Sequence, residues 1–264
     1  MNTENEKQPD ELNTKDYFIA YLDILGYQGK LIQEEKNNDN EFLNTINLSV
    51  KMADFFAFSL SENLKDKNKN AVIIKRIFTD NFFYCTEKDY QVLLDLVSSL
   101  QAMFIHRNIF IRGALYYGKL YIDDNFIYGS SIVNAYEIES KIAIFPRVII
   151  DDTFFNGILS IETANGKNDL TFDKIIAYFN AHYYDTDIDN NKFVDYLGVL
   201  KNALDKPYSG EKTYDFNTLI KDHAYYITEN LKTDNKSVAQ KYQWCKTYHN
   251  IFCIKNGYND LVIS

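Results

Sequence analysis

Residues 17–31, YFIAYLDILGYQGKL, set the hardest constraint on what this chain can become. The first part is apolar at odd and even positions alike, which makes 16–24 a strand covered on both faces and flanked on both edges. One acid, Asp23, lies inside that run. An ionised carboxylate loses several kcal/mol of hydration on leaving water, so Asp23 requires an arginine, a cluster of backbone amides or a metal ion beside it.

The remaining pattern says what can surround that strand. Gly26 turns the chain, and residues 30–61 read as helix in one or two pieces, with KNNDNE (36–41) as the break. SENLKDKNKN (61–70) reads as a solvated connector. AVIIKRIF and FFYCTE are expected as strands joined by a tight turn at residues 79–81, which places a second acid, Asp80, at a hairpin tip. Residues 88–107 predict an amphipathic helix. IFIRGALYYG and KLYIDDNFIYG predict two strands punctuated by Gly118 and Gly129, and 130–144 a short helix opened by serine. Pro146 introduces the strand RVIID. The resulting order, β-α-β-β-α-β-β-α-β, contains a split βαβ pattern and calls for an α+β fold, an antiparallel-rich sheet with helices on one face. From residue 152 onward, helix-like periodicity interrupted by DKPYSGEK (205–212) predicts a mainly helical C-terminal extension, with the helix around Trp244 packed on the first half. The expected division is a disordered tail at 1–15, a domain at 16–151 and the extension at 152–264.

Length and charge narrow the function. At 264 residues the chain can bury one large core with an appendage more readily than two equal ones. A net charge of -9 argues against a long nucleic-acid surface. No apolar run is long enough to span a bilayer and the polar N-terminus has no signal-peptide core, so a cytoplasmic protein with no membrane segment is expected. Cys85, Cys245 and Cys253 lack metal-ligand spacing, and His106, His182, His223 and His249 are scattered. Neither disulfides nor a histidine metal centre is expected.

The two acids carry the chemistry. If the first strand and the hairpin are neighbours, Asp23 and Asp80 lie side by side and repel unless a cation joins them, and magnesium or manganese prefers such oxygen donors. The alternative gives each acid a private contact, with Asp80 an ordinary turn residue. Arg112, inside the apolar IFIRGAL, has to face a carboxylate, a phosphate or a base. Arg76 shares Asp80's side of its strand, and Tyr21 shares Asp23's, where core packing competes with a place at the pocket. Leu25, Gly26 and Tyr27 precede a helix, so their amides suit phosphate groups.

DILG (23–26), FTDNFF (78–83), IRGALYYGKLY (111–121) and YGSSIVNAYEIES (128–140) stand in an order that resembles the class III nucleotidyl cyclases across residues 16–151. The wording AYLDILGY, FTDNFFYC, IRGALYYG and VNAYEIESKIAIFPRVIID is similar to the pyrimidine (uridylate/cytidylate) cyclases of Pycsar antiphage defence systems. The resemblance implies a class III nucleotidyl cyclase-like, ferredoxin-like or palm sheet. It also implies conversion of UTP, ahead of CTP, to the 3',5'-cyclic nucleotide and pyrophosphate. Two Mn2+ (or Mg2+) ions would be held by Asp23, Asp80 and the backbone carbonyl of Ile24, with Tyr21, Leu25, Gly26, Tyr27, Arg76 and Arg112 around the nucleotide. A homodimer with composite active sites and a downstream effector that reads the cyclic nucleotide follow from the same likeness. Val133 and Glu137 depart from it, standing where the purine cyclases' helix has an asparagine and an arginine, with Asn134 one residue away. Arg76 replaces the lysine that contacts adenine. These departures speak against a purine nucleotide cyclase and leave the transition-state stabiliser unassigned, with Lys141 and Arg147 as candidates for phosphate contact across a dimer. A degenerate module that binds a nucleotide or partner without catalysis is the remaining alternative.

Overall fold

The structure, a computed structural model, describes residues 12–62, 71–204 and 215–264. The expected tail through residue 11, the connector from 63 to 70 and the interruption at 205–212 lie outside the described residues. In chain order the elements of the first half are Lys15–Ile24 (β1), Tyr27–Asn37 (α1), Glu41–Glu62 (α2), Ile74–Phe78 (β2), Asn81–Thr86 (β3), Tyr90–Ile105 (α3), Ile111–Ile122 (β4), Ile127–Tyr128 (β5), Ser130–Lys141 (α4) and Val148–Ile150 (β6). The second half adds Asp152–Ala164 (α5), Phe172–His182 (α6), Tyr184–Thr186 (β7), Lys192–Val194 (β8), Tyr196–Leu204 (α7), Phe216–Asn230 (α8) and Lys236–Asn256 (α9).

The eight described strands form one mixed, mostly antiparallel sheet in the order β2-β3-β1-β4-β6-β8-β7, with β5 as a hairpin on β4. Only β4 and β6 run parallel among these pairs. The fold is α+β and compatible with a ferredoxin-like arrangement. β1 lies between β3 and β4 and is buried from Tyr17 to Leu22, which is why its sequence is apolar on both faces. Phe18, Ala20, Leu22 and Ile24 enter the larger core, and Tyr17, Ile19 and Tyr21 enter a smaller one with Phe83, Cys85, Ala114 and Ala135.

Four expectations are corrected. The two strands punctuated by Gly118 are one strand, β4, because the turn that ends it is built by Asp123. Its Oδ1 accepts from the amides of Asn125 at 2.7 Å and Phe126 at 2.9 Å. Helices cover both faces of the sheet: α4 lies on the smaller core, whereas α3 packs with α2 over the larger one. α3 is not amphipathic in effect, since every residue from Val92 to Ile105 is buried. Its polar side is covered by α7 and α8 from the C-terminal half, and Asp222 of α8 meets His106 just beyond the end of α3 at 2.5 Å. The C-terminal half is also not helical alone, because β8 pairs with β6 and extends the sheet.

Both halves therefore share a core that runs from Phe18 and Leu22 to Phe193, Leu219 and Phe252. Trp244 of α9 is packed on the first half as expected, stacked on Phe145 with ring centroids 6.2 Å apart. β1 and β4 leave no room for a side chain at Gly113, where a Cβ would come within 2.3 Å of the Tyr21 carbonyl oxygen. Gly113→Ala is expected to cost about 2–3 kcal/mol, read as a lower urea midpoint at unchanged m-value.

Candidate functional site

The strand register brings the two aspartates together. Asp23 lies opposite Asn81, and the Ile24 amide donates to the Asp80 carbonyl at 3.1 Å. The Asp80 Oδ1 accepts from the Thr79 hydroxyl at 2.8 Å and from Asn81 Nδ2 at 3.0 Å. On its other edge β1 sets Asp23 opposite Arg112. The Arg112 Nε donates to Asp23 Oδ2 at 2.9 Å, and its Nη2 stands 2.7 Å from Glu139 Oε1. Arg112 thus faces carboxylates, the first of the partners its apolar strand allowed.

One guanidinium contacts two carboxyl groups, with Asp80 a third acid nearby. Burial pushes the Asp23 carboxyl above its usual range. Its hydrogen bond and attraction to Arg112 act the other way, and the charge of Asp80 and a side-chain hydrogen bond shared with it push it up again. Glu139 is pushed up to about 7, first by burial, with Asp23 and Asp80 adding to the effect and Arg112 opposing it. The buried acids outweigh the one cation that contacts them. Glu139 was missed in the sequence, although Ser131, Ala135 and Glu139 recur every four residues on the buried face of α4, where a glutamate stands out.

The remaining candidates divide. Tyr21 is 7% exposed, packs edge-on against Tyr136 at 6.0 Å, and its hydroxyl is pushed up to about 12 by burial and then by Glu139, Asp23, Tyr136 and Asp80. It is both core and neighbour to the carboxylates. Gly26 adopts a left-handed φ of 75° as the N-cap of α1 and offers no side-chain cap, so the helix starts with open amides. Tyr27, the first helical residue, rests against Phe42 at 5.6 Å, and its hydroxyl is raised by burial and then by Asp80. Leu25 is a correction: its amide donates to the Phe110 carbonyl at 2.9 Å and is not open to a phosphate.

Arg76 directs its guanidinium to the β4–β5 hairpin, donating to the Asp123 carbonyl at 2.8 Å and to Asp124 Oδ1 at 3.3 Å. Arg147 is also a correction. It is 1% exposed, paired with Asp187 and set against the rings of both Phe145 and Trp244, so burial holds it in place as a structural cation with no reach to a phosphate. Lys141 pairs with Glu137 on the exposed face of α4 at 2.9 Å, and Asn134 donates to the Tyr116 hydroxyl at 2.9 Å.

Among the described residues, no group of three or more His, Cys, Asp and Glu side chains is arranged to hold a metal ion. A magnesium or manganese ion does not need such a cage, since it takes one or two carboxylates and fills the rest of its shell from phosphates and water. Asp23, Asp80 and the Ile24 carbonyl are hard oxygen donors of that kind, in a site where acids exceed cations, so the residues fit. A separate surface cleft of about 170 Å³ between α6, α7 and α9 is lined by Asp195, Lys201, Tyr248 and Lys255 and does not include these residues. One of its two acids is already used: Asp195 Oδ1 accepts from the Tyr248 hydroxyl at 2.6 Å and the Gly198 amide at 3.1 Å. Comparison with known protein families and with curated proteins finds no match to this chain.

Two outcomes follow from the charge arrangement. In metal-free protein Glu139 keeps in the fold a proton that the unfolded chain releases above the usual carboxylate range. Stability conferred by Glu139 is therefore complete below about 4.5 and lost as pH rises toward about 7. Glu139→Gln is expected to flatten that fall in melting temperature; an unchanged slope would contradict it. Arg112→Met leaves Asp23 and Glu139 desolvated without a partner and is expected to cost about 3 kcal/mol in chemical denaturation at neutral pH.

Proposed function

We propose that this chain is a pyrimidine nucleotide cyclase that converts UTP, ahead of CTP, to the 3',5'-cyclic nucleotide and pyrophosphate. The observation that carries the reading is the convergence of Asp23 and Asp80 beside the uncapped start of α1, with acids in excess of the cation that contacts them. The likeness of residues 16–151 to class III nucleotidyl cyclases, and of their wording to the Pycsar enzymes, supports it. That likeness carries the finer fold assignment too, and with it a homodimer with composite sites, a cytoplasmic location and a second-messenger role in antiphage defence through a downstream effector.

Asp23 and Asp80 hold the metal ions in this mechanism, and the Ile24 carbonyl completes the protein's share. Mn2+ or Mg2+ bound there lowers the pKa of the ribose 3'-hydroxyl and neutralises charge on the triphosphate. Arg112 fixes the Asp23 carboxylate through Oδ2, which leaves Oδ1 to face a cation, and Glu139 holds the far side of the guanidinium. The open amides at the start of α1, from Tyr27 onward, receive the β- and γ-phosphates with the favourable end of the helix dipole. The 3'-hydroxyl gives its proton to solvent, and its oxygen forms the bond to the α-phosphorus as the bond to pyrophosphate breaks.

A second reading, a cyclase-like module that binds a nucleotide or partner without catalysis, is favoured by one observation: Arg112 already gives Asp23 and Glu139 a cation. Arg76, Val133 and Glu137 speak against a purine cyclase. Incubation of the protein with each of the four ribonucleoside triphosphates and Mn2+, with products identified by mass spectrometry, is expected to give one pyrimidine product, cyclic UMP ahead of cyclic CMP. Asp23→Ala and Asp80→Ala are each expected to reduce product to background. Product formation that survives either substitution, or a purine product alone, contradicts the reading.

A further inference from the structure

The C-terminal helix α9 lies against the candidate site. Tyr242 packs edge-on against Phe110 with ring centroids 5.1 Å apart, and the Phe110 carbonyl is the acceptor that fixes the Leu25 amide in the DILG turn. Two residues beyond Phe110 is Arg112. Lys241, the residue before Tyr242, is partly buried and lies within the electrostatic reach of both Arg112 and Asp23. Among the described residues it forms no ion pair. Arg112 is already engaged through Nε on Asp23 and Nη2 on Glu139.

A partly desolvated ammonium beside a guanidinium is unfavourable in the free protein, because burial and like charge both act against it and the attraction of Asp23 only partly offsets them. Such a group gains most when an anion arrives. Lysine suits an anion with oxygens spread around it, since its ammonium is a compact point charge with three rotatable donors. Resting on the reading that a nucleoside triphosphate binds at Asp23 and Asp80, we infer that Lys241 is the cation that meets the substrate's phosphate chain, so that the C-terminal helix is a working part of the site. The helix is fixed for this task by Trp244, one turn further on, stacked on Phe145 and bordered by Phe193 at 5.2 Å.

The test is calorimetric titration of the full chain with inorganic tripolyphosphate and with UTP in the presence of Mg2+, for wild type, Lys241→Met and Lys241→Arg. Methionine keeps much of the stem's packing and removes only the charge. Lys241→Met is expected to weaken both ligands about tenfold or more at a melting temperature no lower than that of the wild type, and Lys241→Arg to recover most of that loss. Tripolyphosphate affinity unchanged in Lys241→Met, or a wild-type protein that binds neither ligand, overturns the inference. Cyclic product is measured on the same samples. Tripolyphosphate bound through Lys241 without cyclic product removes the cyclase reading and keeps the lysine's role. Cyclic product formed by wild type and Lys241→Met at equal kcat and KM keeps the cyclase reading and removes the lysine's role.

Discussion

A guanidinium placed between two buried carboxyl groups fixes the geometry of this protein's centre. Arg112 enters from β4, Asp23 from the neighbouring β1 and Glu139 from α4, so one cation joins two strands and the helix that covers them. Buried ion pairs add little net stability, because desolvation offsets most of their attraction, but breaking one is costly. The network therefore acts as a positional constraint. It requires β1 and β4 to pair in the register that sets Asp23 opposite Arg112, and the same register places Asp23 beside the turn that carries Asp80. The charge left over, with Asp80 added to the two acids that Arg112 contacts, is what makes the place suited to a further cation.

The C-terminal half completes the molecule by covering what the first half leaves apolar. α7 and α8 bury the far side of α3, while β8 extends the sheet from β6. Within that half, polar contacts leave few options. His249 Nε2 lies 2.9 Å from the Leu261 carbonyl and must donate to it, so its Nδ1 accepts from His223 Nδ1 at 3.1 Å, and His223 Nε2 accepts from the Tyr196 hydroxyl at 2.9 Å. Burial holds both imidazoles below their usual pKa, so the relay stays neutral. Arg147 does similar work at the other end, held by Asp187 and by the rings of Phe145 and Trp244. With α9 anchored in this way, Lys241 is held within electrostatic reach of Arg112 and Asp23.

Much of the first half was legible because its signals are local. A strand apolar on both faces, an Asp-Asn turn and a glycine before a helix each fix one piece of backbone. Their order made Asp23 and Asp80 neighbours on the condition that β1 pairs with the hairpin, which the register supplies. What could not be read depended on distant residues. The polar positions of α3, Asp95, Ser98 and Gln101, look like a solvated face until α7 and α8 are set against them. Arg147 looked like a ligand-binding cation because nothing nearby in sequence announces Asp187 as its partner. Short strands such as β7 and β8 carry too few residues to show alternation. Glu139 was legible on its helix face and was overlooked, whereas Lys241 had no local signal, since it reaches the site only through the packing of α9.

The central claim is that Asp23 and Asp80 together hold divalent cations in the presence of a nucleotide. Electron paramagnetic resonance of Mn2+ titrated into the full chain, with and without a UTP analogue that cannot cyclise, addresses it directly. The account predicts Mn2+ bound to the protein with the analogue present, and loss of that binding in both Asp23→Asn and Asp80→Asn. Equal Mn2+ binding in the variants, or no protein-bound Mn2+ with the analogue at saturation, would contradict it.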